Sequence, residues 1–466
     1  MFKKYKIEIF IFLIAILLRM AVIYFVCDQQ NINLSGFTEQ TRPDGYYQIA
    51  TNLVNNNVYS YIIDKENPPP TSLRTPGLPI LIAASLSIFN SALPILFLQL
   101  IISGILPILG RIICLKITKN NRISTTAAVI LALEPMGIWL SLMFISEIWF
   151  TLFFYLFILL IFKIIKNNKS HVIGNNYKIF IMAGIILGIA TLFRPTTYYL
   201  PILLILIWVG YRFISKKDIM LKKIIVFILC FMIVLSPWLY RNYRAFGRVG
   251  LTSLPQAMLF GVLSPSVLAI DTGKSYLQAQ QEFFISHKLT KYPEVNLGNA
   301  DWFKEKAIEF LKNKPIALMK SASISTLAFF TNDGSFNLLS FTGLIEPTGL
   351  TVGQIIRMPW PQKLETAREL IFSSVFFIAL LRILWILVSL LFFINLFYIL
   401  AKKKLSAYPA IAIILVFYFV ATTAIVGFGV NARYRFPVNI FILMFAISFL
   451  YDILKSRGRK LLLKNY

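Results

Sequence analysis

Residues 123–166 read ISTTAAVILALEPMGIWLSLMFISEIWFTLFFYLFILLIFKIIK. Only Glu134, Glu147, Lys163 and Lys166 carry charge in this stretch. A helix that crosses a bilayer needs about 17–25 apolar residues, so the stretch is long enough for two crossings. Ser146 and Glu147 mark the turn between them, which predicts spans over 123–145 and 146–166. A water-soluble fold has no place for a run of this kind.

The rest of the chain has the same character. Hydrophobic residues make up 58% of the 466 and charged residues 14%, against about 25% charged in soluble domains. Working outward from 123–166, further spans are expected over 7–26, 92–115, 177–194, 195–214, 221–240, 371–401, 406–428 and 436–453. The fold class is therefore all-α and polytopic, with about ten transmembrane helices in a single membrane domain, 1–466. The run Ile7–Val26 has a basic start but suits an uncleaved first helix rather than a signal peptide, since no A-x-A site follows it.

Net charge is +26, which raises the question of nucleic acid. The distribution argues against that partner. With the N-terminus inside, the inner segments are those bearing Arg111–Arg122, Lys163–Lys178, Arg212–Lys223, Lys402–Lys404 and Lys455–Lys464. With the N-terminus they hold about half of all Lys and Arg, and Asp218 is the one acid in the loops between them. This is the positive-inside pattern, with both termini cytoplasmic. It also decides residues 76–90 and 315–331, which are apolar but short. Reading 76–90 as a span would place every later basic cluster outside, so both are expected as helices lying at the outer surface. Two elaborated outer segments follow, 27–91 and 241–370. In the second, Trp302, Phe303, Ala307, Phe310 and Leu311 recur at helical spacing. Cys27, Cys114 and Cys230 form no disulfide or metal pattern, and two histidines exclude a histidine-based metal site.

Ionisable groups gather at the outer ends of the spans in this topology: Asp44, Arg74, Glu147, Arg194, Arg241, Arg433 and Arg435. A few carboxylates among many guanidiniums suit an anionic, phosphate-bearing amphiphile. Each has a plainer reading. Asp44 could cap a helix over 45–57. The arginines could snorkel to headgroups. Glu147 could answer the helix dipole, and Glu134 could be a hydrogen-bond acceptor at a kink.

The order of motifs resembles a known group. Asp44 precedes Tyr46-Tyr47, then come Arg74-x-Pro76-Gly77-x-Pro79, Ser146-Glu147, Arg194-Pro195, Pro237-Trp238-x-x-Arg241-Asn242-Tyr243-x-x-Phe246-Gly247 and Arg433-Tyr434-Arg435-x-Pro437. This resembles the polytopic GT-C glycosyltransferases, especially bacterial members related to protein O-mannosyltransferases and the lipid A aminoarabinose transferase. The resemblance implies transfer of a sugar, with inversion, from a polyprenyl-phosphate carrier to an acceptor on the periplasmic side of the bacterial plasma membrane. It implies Asp44 as general base, Arg74 and Arg194 at the lipid phosphate, Glu147 in the same cavity, and substrate contacts from Tyr46, Arg241, Arg433 and Arg435. The acceptor (a lipid, a glycan or a protein) is left open. Many relatives carry two adjacent acids where this chain has Asp44-Gly45, so a divalent cation shared by Asp44 and Glu147 stays an open cofactor question. No soluble module is expected after the last span. A transporter or flippase of a lipid-linked sugar, and a surface-polysaccharide ligase or polymerase, are the alternatives.

Overall fold

The computed structural model describes residues 5–63, 65–169, 177–215, 221–345, 359–362, 365, 375–402, 405–428 and 431–462. Lys3, Lys4, Asp218, Lys403, Lys404 and Lys464 of the basic clusters, and 346–358 of the second loop, lie outside them. The described residues form helices and no strand. Among the described residues eight helices are long and apolar enough to cross a membrane, nine with the bent pair Asn121–Leu133 and Pro135–Leu142. Apolar helices also stand at the other two expected crossings, as Tyr177–Phe193 and Pro195–Trp208, but they are shorter than the spans above.

Three boundaries differ from expectation for physical reasons. The span expected over 123–145 bends by 51°. Pro135 breaks the hydrogen-bond ladder and its ring crowds the residue before it, which holds Glu134 in an extended conformation between the two halves. The helix expected to stop at 240 runs from Leu221 to Phe246 with Pro237 inside it. Trp238 Nε1 donates to Leu251 O at 2.8 Å and Asn242 Nδ2 to Gly250 O at 2.8 Å, which hold the extra turns. Leu254–Thr272, read as part of the second loop, is long and apolar enough to be a span by composition. It is interrupted by a π turn at Leu259–Leu263. There Phe260 packs among Phe283, Phe284, Trp302 and Phe303 of the same loop.

The expected helices at 76–90 and 315–331 are present as Gly77–Phe89 and Pro315–Thr331. Asp301–Leu311 lies within Ala300–Lys312, with Phe303, Ala307 and Leu311 buried. One tight contact in the bundle is set by small residues, as helix packing in lipid favours. A Cβ on Gly184 would overlap the Phe227 carbonyl, and one on Gly188 would meet Val234 at 2.8 Å. Gly184→Val is expected to cost about 1–3 kcal/mol, read as a lower thermal midpoint of the detergent-solubilised protein. An unchanged midpoint would contradict the close approach.

Buried polar side chains tie the spans where the chain turns. Gln99 Nε2 donates to Ser141 O at 3.0 Å and Met143 O at 2.7 Å, and Trp149 Nε1 donates to Gln99 Oε1 at 3.0 Å. These bonds serve backbone groups that would otherwise be orphaned between Leu142 and Glu147. They fix where the next helix begins, and it begins at Glu147.

Candidate active site

Three loop connections deliver their residues to one place. Phe144 N donates to Thr41 O at 2.8 Å, and the Tyr46 and Ser146 hydroxyls lie 3.2 Å apart. These contacts lay the Asp44 loop against the start of the Glu147 helix. Thr75 Oγ1 donates to Phe193 O at 2.9 Å, which docks the Arg74 loop on the end of Tyr177–Phe193. Arg194 is the next residue. Pro195 keeps it out of the helix, in an extended conformation that turns its side chain inward.

Asp44 is not a helix cap. Gly45 occupies the cap position of Tyr46–Asn56 and no side chain caps that end. Asp44 instead adopts φ 69°, a left-handed conformation costly for a residue with a Cβ. Arg74 grips it twice: Nε donates to the Asp44 carbonyl at 2.9 Å, and Nη2 lies 3.4 Å from Oδ1. The Arg74 guanidinium also lies 5.3 Å from the centre of the Tyr46 ring.

The other groups close around this pair. Arg433 Nη2 donates to Asp44 Oδ2 at 2.6 Å, while its Nε donates to Glu147 Oε1. Arg194 pairs with the same Glu147 oxygen and lies 5.2 Å from the Tyr434 ring centre. Asp44, Arg74, Glu147, Arg194 and Arg433 therefore form one cluster, two carboxylates with three guanidiniums and a net charge of +1. Exposure divides the carboxylates: the Glu147 side chain is 0% exposed and that of Asp44 23%. Glu147 is an inner anchor for two arginines, and Asp44 is the carboxylate that an incoming group can reach. Burial pushes the Asp44 carboxyl up, but Arg433, Arg74 and Arg194 together outweigh it and hold the pKa at about 2.

Two expected residues stand outside the cluster. Arg241 donates to Thr71 O at 2.9 Å and to Tyr59 O at 3.4 Å, with its guanidinium 5.0 Å from the Tyr59 ring centre. Tyr59 in turn donates to Thr75 O at 3.1 Å, so Arg241 braces the loop that carries Arg74. Arg435 is fully buried and faces away, toward Asn439 and Trp385. Arg42 lies over Tyr47, 3.7 Å from its ring centre. Sequence reading missed Thr41, Tyr59 and Thr75, whose part is to hold loops. Thr41 and Thr75 stand beside Arg42, Arg74 and Pro76, which was their one signal, and Tyr59 had none.

A divalent cation fits this arrangement poorly. Among the described residues no group of three or more His, Cys, Asp or Glu side chains comes together. The Arg433 guanidinium lies between Asp44 and Glu147, bonded to both.

Residues 73–240 match the family described as dolichyl-phosphate-mannose-protein mannosyltransferase. That segment contains Arg74, Glu147 and Arg194. No curated protein matches the chain. Among solved structures, it is similar to the oligosaccharyltransferase of Archaeoglobus fulgidus in its apo form, with TM-score 0.52 and 15% identity over 98% of this chain and 52% of that one. The archaeal oligosaccharyltransferase AglB of the same organism, in complex with an inhibitory peptide and a dolichol-phosphate, aligns at TM-score 0.51 and 17% identity, over 98% of this chain and 52% of that one. At such identities the likeness is one of fold, and the chain spans about half the length of these structures. The family match over 73–240 and the likeness of fold agree with the resemblance read from the motif order.

Proposed function

We propose that this chain of GT-C fold is a glycosyltransferase that moves a sugar from a polyprenyl-phosphate carrier to an acceptor at the periplasmic face of a bacterial plasma membrane, with inversion. The observation that carries the reading is the meeting of Asp44, Arg74, Glu147, Arg194 and Arg433 at one end of the bundle. The family match supports the chemistry, and the AglB complex shows that a protein of this fold holds a dolichol-phosphate. The basic loops support the sidedness. Their charge favours both termini in the cytoplasm and the loops 27–91 and 241–370 outside.

In this reaction an acceptor hydroxyl attacks the sugar C1. Its proton passes to an Asp44 oxygen, the C1–O bond to phosphate breaks, and the bonding pair leaves with the lipid phosphate. The guanidiniums of Arg74, Arg194 and Arg433 receive that developing charge. A singly charged phosphodiester balances the cluster's net +1. By drawing Arg433 and Arg74 toward itself, the phosphate also loosens their hold on Asp44 and makes it a stronger base at the moment of use.

Arg74→Ala and Arg194→Ala are each expected to weaken donor use by about tenfold to a hundredfold, the worth of one charge-assisted contact. Steady-state assays with a short-chain polyprenyl-phosphate sugar measure this, and unchanged donor affinity in both variants would overturn the phosphate assignment. Reconstitution in vesicles separates an enzyme from a carrier, because a carrier moves the lipid-linked sugar without changing it.

A further inference from the structure

Arg433 and Arg435 sit two positions apart on the short helix Asn431–Arg435. At about 100° per residue they leave opposite sides of it. A helix this short has too few internal bonds to hold its own orientation. On the cluster face its fastening is Arg433, bonded to the side-chain carboxylates of Asp44 and Glu147.

On the opposite face it is Arg435, which is 0% exposed. Its Nη1 donates to Phe329 O and its Nη2 to Asn332 O at 2.5 Å. Both carbonyls stand at the C-terminal end of Pro315–Thr331, where helix carbonyls lack internal partners and the helix dipole is negative. Arg435 Nε donates to Asn439 Oδ1 at 2.8 Å, and the guanidinium lies 4.1 Å from the Trp385 ring centre. Asn439 in turn donates to Glu134 at the bend between Asn121–Leu133 and Pro135–Leu142. One side chain thus fastens the short helix to three neighbours.

We infer that Arg435 is a positioning residue: by capping the end of Pro315–Thr331 it sets the short helix so that the Arg433 guanidinium stays between Asp44 and Glu147. The inference rests on the proposed reading of the site for its phosphate readout. Lysine keeps the charge but lacks the planar fork that serves two carbonyls and Asn439 at once.

The test is a double-mutant cycle read by binding of a short-chain polyprenyl phosphate to the purified protein in nanodiscs. R435K is expected to weaken binding about tenfold in the wild-type background and less than about twofold on top of R433A. The same factor in both backgrounds would overturn the inference, since Arg435 would then act without Arg433. Unchanged binding in R433A itself would refute the phosphate reading instead. Hydrogen exchange judges Arg435 independently of any ligand: R435K should speed exchange across 431–438 in the donor-free protein. Unaltered exchange in R435K would overturn the proposal. Should R435K fail to accumulate, N439A removes the Nε acceptor and carries both measurements in the same direction.

Discussion

Asp44→Asn is expected to lower sugar transfer by about a thousandfold while the protein reaches the membrane at its normal level. A positioned general base contributes about 10²–10⁴ in rate, and the amide of Asn has no basic oxygen lone pair to take the acceptor's proton. The substitution is nearly isosteric. Arg74 keeps its bond to the residue 44 carbonyl, so the left-handed turn survives. The cluster becomes more positive, and donor binding should hold or tighten. The signature is thus a collapse of kcat with little change in donor KM, measured with a short-chain polyprenyl-phosphate sugar on protein in nanodiscs. A fall in donor affinity with kcat preserved would make Asp44 a binding residue and not the base.

Arg433→Ala is expected to damage both chemistry and fold. Removing one partner of a buried ion pair costs about 3–5 kcal/mol, and because Glu147 keeps Arg194 the loss lies at the lower end. Transfer should fall by about a hundredfold or more as the leaving phosphate loses a donor. The pH profile gives the sharper readout. In the native protein the depressed carboxyl of Asp44 stays ionised down to about pH 2, against an ordinary 3.8. Stability from its ion pairs is therefore complete above about 3.8 and lost as pH falls toward 2. Without Arg433, burial is opposed by Arg74 and Arg194 alone, and the pKa rises. The acid limb of kcat/KM, which reports the free enzyme, should move to higher pH. An acid limb in the same place would mean that Asp44 does not feel Arg433.

Much of this was legible in the residues, for different reasons in different places. The length of the apolar runs fixed the helices, because lipid forbids any other backbone there. The basic clusters ordered them. Proline before or after a charged residue marked the places where the chain leaves a helix, which is why Arg194 and Glu134 could be singled out. The spacing could not tell which way each side chain points once the helix has ended. Arg433 and Arg435 look equivalent in Arg-Tyr-Arg, yet about half a helical turn sends them to opposite sides. From the residues alone Asp44 could have been a cap as readily as a base, because Asp is a favoured cap. The left-handed turn at Asp44-Gly45 removed that option, and turn geometry of this kind rests on contacts such as that of Arg74 from thirty residues away. The bracing by Arg241 was hidden in the same way, since its partners Thr71 and Tyr59 lie 170 and 182 residues away in the chain.

The most direct test of Asp44 as the base of a lipid-linked sugar transfer is made in cells. Lipid and glycan profiles would be compared between cells carrying the native gene, lacking it, and carrying Asp44→Asn at equal membrane abundance. We expect one glycosylated product to be present only with the native chain, and a polyprenyl-phosphate sugar to build up in the other two. A native profile restored by the Asp44→Asn chain would contradict the claim.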